Sequence, residues 1–343
     1  MDRPMNRKNG GERRVSIKEV ATLAGVGIAS VSRVLSGQPG ASPDLAQRVL
    51  AAARQLGYTP NLMASGLRRR TSRSIGFVST DITNPLLASI VSGVESVLTS
   101  AGYSVLLTNS GGIPENDGKR IEALLQRQVD GLILLPATEN DPAMLAALRG
   151  AHVPMVVIDR ALPADVSVHY VLSDHYAGVG EAARRLLSMG HRRLALVVGR
   201  DVRPSRERIR ATRDAYTSLA LEDELVIDHG TLTVEHGEEA LEQLLTSDTP
   251  PSAVILGGNQ LLEGALRAIR RHGLRLGADL ALVCCDDIPL SRLHEPAIAT
   301  VMRDTALLGQ RAAELLLRQI EHPHESETIL LPTWFKARAS LGL

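Results

Sequence analysis

The chain has 343 residues, of which 44% are hydrophobic and 22% charged, with 38 Lys and Arg balanced by 38 Asp and Glu. That length suits two or three domains with buried cores. Its two cysteines, Cys284 and Cys285, are adjacent, a spacing poor for a disulfide or a metal site and consistent with a reducing cytosol. No stretch reads as a signal peptide or is long and apolar enough to span a bilayer, so the expected location is cytoplasmic, with no membrane partner. The neutral balance hides a polarity. Residues 1–73 carry 13 Lys and Arg against 4 Asp and Glu, while the remainder carries 25 against 34. A basic head on an acidic body predicts that the head meets a polyanion.

In chain order, residues 1–14 are polar and rich in Gly, Asn and Arg, and read as a disordered tail. Ser16 can cap a first helix and Glu19 can close a capping box with it. Val20, Leu23 and Ala24 form one apolar face at helical spacing. Gly25-Val26-Gly27 breaks the pattern; Val31, Val34 and Leu35 resume it, while Ser30, Ser32 and Arg33 stay polar. Two short helices joined by a Gly-containing turn form a helix-turn-helix, whose second helix can enter the DNA major groove. A hairpin buried in a core needs apolar residues where these hydroxyls and Arg33 stand. A third helix runs from Ser42-Pro43-Asp44 to Leu56 and stops at Gly57, with Leu45, Val49, Ala52 and Leu56 facing inward. The headpiece therefore spans 15–59. Residues 60–74 read as a linker with one or two helical turns after Asn61, a segment too short to be helical alone. Within it, Gly66 costs about 1 kcal/mol of helix propensity relative to Ala.

From Ile75 apolar strands alternate with amphipathic helices. Strands are expected at 75–78, 105–107, 131–135, 155–158, 194–198, 225–227, 253–256 and 280–283. Helices are expected near 86–101, 117–128, 141–149, 176–189, 205–220, 236–247 and 260–272. Continuous apolar strands between helices predict parallel sheets covered on both faces, and two successive sets predict two Rossmann-like subdomains. The default ligand site is the cleft beyond the carboxyl ends of the strands. No G-x-G-x-x-G follows the first strand, and no P-loop or H-E-x-x-H occurs. No nucleophile–base set stands out, so an enzyme is not expected and no cofactor or metal is called for.

The order of parts, and motifs in register along the chain, resemble the lactose/galactose repressor (LacI/GalR) family of bacterial transcription regulators. Those motifs include Ile17-Lys18-Glu19-Val20-Ala21, Val31-Ser32-Arg33-Val34-Leu35, Leu56-Gly57-Tyr58, Asp81-Ile82-Thr83-Asn84-Pro85, Ile158-Asp159-Arg160, Gly190-His191-Arg192 and Asp286-Asp287-Ile288-Pro289. The resemblance implies a three-helix headpiece, a hinge helix, and an α/β core like periplasmic binding proteins. That core would span 75–343, with an N-subdomain of about 75–173 and 304–331 and a C-subdomain of about 174–303 and 332–343. It implies a homodimer, associated through helices such as 86–101, on double-stranded operator DNA of pseudo-palindromic sequence, and a small polar effector in the cleft. The competing class is a cytosolic small-solute receptor with no role on DNA.

Residue roles follow from the same resemblance. Gly27, Ile28 and Ala29 open the recognition helix; Gly27 replaces the usual Ser, and Ile28 and Ala29 can read only apolar features such as a thymine methyl. Ser30 and Ser32 suit phosphate oxygens, Ser30 equally a plain surface position, and Arg33 suits a guanine edge. Ser16, Asn61 and Arg68 complete the expected DNA-contacting set, with Leu67 as a wedge between central base pairs of the minor groove. The effector site is expected at Asp159, Arg208, Asn259 and Asp286, with Leu87, Leu232 and Arg303 around it. Asp159 could instead pair with Arg160, Asp286 could cap a turn, and Arg303 could be a solvated strand-end residue. Leu86, Leu87 and Leu232 stand where aromatic residues are frequent in the family, so the effector is expected to be gripped by polar contacts, as a small or acidic sugar derivative would be.

Overall fold

The structure, a computed structural model, describes residues 15–35, 40–58, 71–222 and 224–342. Expected DNA contacts Asn61, Leu67 and Arg68 lie outside the described residues, as does the tail 1–14. The chain divides into two compact units between Ser72 and Arg73.

The first unit contains three helices, α1 (Ile17–Ala24), α2 (Ile28–Leu35) and α3 (Pro43–Leu56). The Glu19 carboxylate accepts hydrogen bonds from the Ser16 backbone N–H at 2.7 Å and the Ser16 hydroxyl at 2.9 Å, tying down the start of α1. Gly25 and Gly57 end α1 and α3 in the left-handed conformation, with φ of 67° and 63°, which glycine adopts without a Cβ penalty. Val20, Ala21, Ala24, Val31, Val49, Ala52 and Ala53 form the core. Leu23 departs from the expected apolar face and is 46% exposed. Val20, Ala21 and Ala24 lie at i, i+1 and i+4, and this tight stripe of small side chains leaves Leu23 on the outer flank of the helix.

The second unit holds two six-stranded sheets. The strands are β1 (Ser74–Ser79), β2 (Ser104–Asn109), β3 (Gly131–Leu134), β4 (Met155–Ile158), β5 (His169–Ser173), β6 (Leu194–Val198), β7 (Val226–His229), β8 (Ala253–Leu256), β9 (Ala281–Cys285), β10 (Ala299–Arg303), β11 (Thr328–Leu331) and β12 (Thr333–Lys336). The first sheet runs β11-β5-β4-β3-β1-β2 and the second β12-β10-β9-β8-β6-β7. All pairings are parallel except β10 with β12. The chain thus lays five strands in one sheet, five in the other, and returns with one more to each.

Both faces of each sheet are covered, which explains the uninterrupted apolar strands. Along β6, Leu194, Leu196 and Val198 enter one core cluster while Ala195 and Val197 enter another. Cys285 and Cys284 divide in the same way, both buried and free. The covering helices are α4 (Pro85–Ser100), α5 (Pro114–Gln126), α6 (Pro142–Arg149) and α12 (Thr305–Glu321) on the first sheet's side. Those of the second are α7 (His175–Ser188), α8 (Arg203–Ser218), α9 (Val234–Leu245) and α10 (Leu262–Arg271), with a short α11 (Pro289–Leu293). Helices α4 and α12 cross at glycines: a Cβ on Gly93 would lie 2.1 Å from the Ala306 carbonyl oxygen, and one on Gly309 2.0 Å from that of Ile90. Four strands and the helices α11 and α12 fall outside the sequence expectation. β5, β10, β11 and β12 each begin or end on a polar residue and hold at most three consecutive apolar ones, a weaker signal than the four- and five-residue runs of the central strands.

Candidate effector cleft and DNA-reading helix

In the headpiece, Gly27 precedes α2, and its carbonyl accepts hydrogen bonds from the N–H groups of Ser30 at 3.0 Å and Val31 at 3.2 Å. It occupies the cap position without a capping side chain. A Cβ there would meet nothing within 4 Å, so the position tolerates a larger residue sterically. Ser16, Gly27, Ile28, Ala29 and Arg33 are exposed, Ser30 and Ser32 half-buried, and Val31 fully buried. The start of α2 therefore presents Ile28, 37% exposed, and Ala29 outwards while Val31 anchors the helix from behind.

In the second unit a cavity of about 460 Å³ opens among the carboxyl ends of both sheets. Asp159, Arg208, Asn259, Asp286, Leu232 and Arg303 all line it. Leu87 does not. It is 4% exposed and packs with Ile75, Phe77 and Ile90 in the first sheet's core, while its neighbour Leu86 lines the cavity. In the first turn of α4, only one of two consecutive residues can face the cleft when the other completes the core. No Phe, Tyr or Trp lines the cavity among the described residues.

Asp159 and Asp286 occupy equivalent places. Each follows the strand next to its sheet's crossover, β4 or β9, and each donates its backbone N–H onward, to Val171 at 3.1 Å and to Val301 at 2.8 Å. Each has a positive φ, 50° and 72°, a conformation that Asp tolerates better than most side chains. Arg303, at the end of β10, joins them. Its Nε donates to Asp286 Oδ1 at 2.7 Å, and a terminal nitrogen donates to Asp159 Oδ2 and to the Ser173 hydroxyl at 3.2 Å. Asp159 also accepts from the Ser173 N–H at 2.6 Å and lies 3.4 Å from His175 Nε2. It does not pair with the side chain of Arg160, whose guanidinium donates to the Asp159 backbone carbonyl at 2.9 Å. Burial acts to raise the Asp159 pKa, but His175 and Arg303 outweigh it and hold the carboxyl well below the usual range. Burial, reinforced by Arg208, lowers His175 to about 4, so its imidazole is neutral near pH 7.

Further contacts cross between the sheets. Gln260 Nε2 donates to Asp81 at 2.8 Å, Asn84 Nδ2 to Gln260 at 3.2 Å, and Asn259 Nδ2 to Asn84 at 3.1 Å. Sequence reasoning missed a residue on the loop after β3. Glu139 is 6% exposed and accepts from the N–H of Arg203 at 2.7 Å, the N–H of Ala161 at 2.8 Å and the Arg206 guanidinium at 2.5 Å. It thus caps α8 from the other sheet's side, a role the sequence signals only through Val202, which cannot cap that helix itself. His175, following the capping Asp174 of α7, is the second such residue.

A three-helix head carrying a helix-turn-helix, and a two-sheet body with a cleft lined by charged and amide side chains among apolar ones, define a ligand-binding-protein-like body attached to a helix-turn-helix. A family profile described as bacterial regulatory proteins, lacI family, matches residues 16–61, and one described as periplasmic binding protein-like domain matches residues 183–341. The ribose operon repressor of Escherichia coli K12 is 31% identical over 311 residues, covering 90% of this chain and 94% of that protein. The lac repressor dimer, solved bound to operator and the anti-inducer ONPF, superposes with a TM-score of 0.84 at 27% identity, covering 96% of this chain and 99% of that one. The transcriptional regulator CelR in complex with cellobiose superposes at 0.71 with 31% identity, covering 95% and 100%. The chain belongs to the LacI family of bacterial regulatory proteins and is a DNA-binding transcriptional repressor of that family. No helix among the described residues is long and apolar enough to cross a membrane.

Proposed function

We propose that this repressor works as a homodimer in the cytoplasm on a pseudo-palindromic operator and is controlled by a small polar effector, a sugar or sugar derivative, bound in the cleft between its two sheets. The observation that carries the reading is the cavity itself. It is lined by charged and amide side chains among apolar ones, free of aromatic platforms among the described residues, and walled by side chains from both sheets joined through Arg303, Gln260 and Asn84. A ligand bound there contacts both sheets and biases their relative placement, which is how a binding event becomes a conformational one. In the related lac repressor the solved state is a dimer on operator, and in CelR the bound sugar is cellobiose.

On the DNA side, Arg33 reads a base edge, Ile28 and Ala29 contact apolar features of the groove, and Ser16, Ser30, Ser32, Asn61 and Arg68 hold phosphates. Leu67 wedges into the minor groove. Filter-binding selection of genomic fragments tests the reading, and a small set of palindromic sites is the expected outcome. Leu67→Ala then weakens binding to the selected site far more than to random DNA. Equal losses on both in anisotropy titrations remove the wedge role, and failure to enrich any fragment removes the operator reading.

A further inference from the structure

The chain passes between the two lobes, each a sheet with its covering helices, at three places: after β5, after β10 and after β11. Strand order puts all three on one side. β11 and β5 are the first two strands of one sheet, and β12 and β10 the first two of the other. Rotation about that side opens the cleft most at the strands remote from it. Direct bonds between the lobes stand there. The loop after β1 meets the loop after β8, and the loop after β3 meets the start of α8, which follows β6. β1 and β6 are the fifth strands of their sheets, β3 and β8 the fourth, so the two clasps cross.

In the first clasp one carboxylate fixes the orientation of every amide. Asp81 can only accept. Its Oδ1 takes the Thr83 N–H at 2.9 Å and hydroxyl at 2.7 Å, and its Oδ2 takes Gln260 Nε2 at 2.8 Å. The Gln260 oxygen then accepts from Asn84 Nδ2 at 3.2 Å. The Asn84 oxygen, which caps α4 through the Leu86 N–H at 3.0 Å, accepts from Asn259 Nδ2 at 3.1 Å. The second clasp is ionic. Buried Glu139 holds the Arg203 N–H and the Arg206 guanidinium, and the Arg203 guanidinium donates to the Ser173 carbonyl on β5 at 3.0 Å. Every donor and acceptor in both clasps belongs to the chain itself.

We propose that the crossed clasps, Asp81 with Gln260 and Glu139 with Arg206, form a latch that sets how far the lobes stand apart before any effector binds, and with it the resting affinity for DNA. This rests on the cleft being the regulatory site. The test uses the full chain with spin labels at Lys119→Cys and Glu239→Cys, exposed positions on α5 of one lobe and α9 of the other. The native Cys284 and Cys285 are buried and stay unlabelled. Gln260→Glu sets a second carboxylate of nearly the same shape against Asp81, and the label distance, measured without added sugar, shifts to longer values. Adding Asp81→Asn exchanges carboxylate and amide across the same contact and restores the distance, which a merely damaged loop would not do. Gln260→Ala gives a smaller shift in the same direction and stands in should the charged variant fail to fold. Arg206→Met releases the second clasp and adds to the shift. On the operator fragment selected above, Gln260→Glu changes the sugar-free affinity at least about fivefold, and the exchange recovers it. A distance unmoved by both Gln260→Glu and Arg206→Met overturns the latch, as does an exchange that restores nothing. A distance that moves while the affinity stays constant overturns its control of DNA binding. The distance needs no DNA and the fragment selection needs no latch, so loss of the operator reading and loss of the latch are seen separately.

Discussion

The two sheets of the body are near copies that part company at the cleft. Both have the same strand order around a parallel core, both end a central strand on a left-handed Asp, and both bring two helices together through glycine contacts. They differ in what surrounds the Asp. Asp159 has Ser173, His175 and the guanidinium of Arg303; Asp286 pairs with Arg303 alone among the described residues, and Arg303 comes from its own sheet. The difference teaches that the repeated architecture supplies positions, while a few unrepeated side chains decide charge. The second sheet lends its cation to the first, and the two Asp residues become a bridge between sheets instead of two hydroxyl acceptors.

The largest way to break this comparison is to remove the shared cation. Arg303→Met leaves two carboxylates, 4% and 6% exposed, without their partner. The expected loss in urea unfolding is about 3–5 kcal/mol. Adding Asp159→Asn and Asp286→Asn should recover much of it; a triple variant as unstable as the single one removes the bridge from the explanation. Next come the glycine crossings. A Cβ on Gly93 would lie 2.1 Å from the Ala306 carbonyl oxygen, and one on Gly264 1.8 Å from that of Val234. Gly93→Ala and Gly264→Ala should each cost about 2–3 kcal/mol by forcing helices apart. An unchanged urea midpoint in either variant removes that close approach from the account.

The smallest effect isolates the side chain that only Asp159 has. His175 titrates near 4 in the folded chain against 6.5 for the free side chain, so between those values the unfolded chain binds more protons. Stability therefore falls as pH drops through that window, by about 2 kcal/mol at pH 5 relative to pH 7 from this group. His175→Gln should remove that share of the slope in urea titrations at the two pH values. An unchanged slope places the pH dependence elsewhere.

Local chemistry made the headpiece legible, since Ser16, Gly25, Ser42 and Gly57 punctuate its helices within a few residues of each turn. The alternation of apolar runs and amphipathic helices was equally readable, because strands buried on both faces carry a continuous pattern. Arg208, Asp159, Asn259, Asp286 and Arg303 were reachable through the motifs around them, and all line the cavity. Leu87 shows the limit. Whether Leu86 or Leu87 faces the cleft depends on how α4 is rotated against α12, a contact between residues more than 200 positions apart. Glu139 lay beyond reach for the same reason, its partners being a helix end and a guanidinium more than 60 residues away.

By itself, then, the sequence determined the class of each part: a capped three-helix DNA reader, and two parallel sheets whose strand ends carry Asp, Asn and Arg. Only the tertiary structure decided how those charges are shared. Which carboxylate meets which guanidinium is set by the crossover that brings β10 beside the end of β4, and no short-range pattern encodes that approach. The same approach engages Asp159 and Asp286 and leaves Arg208 buried at the cavity wall with Nδ1 of His175 beside it.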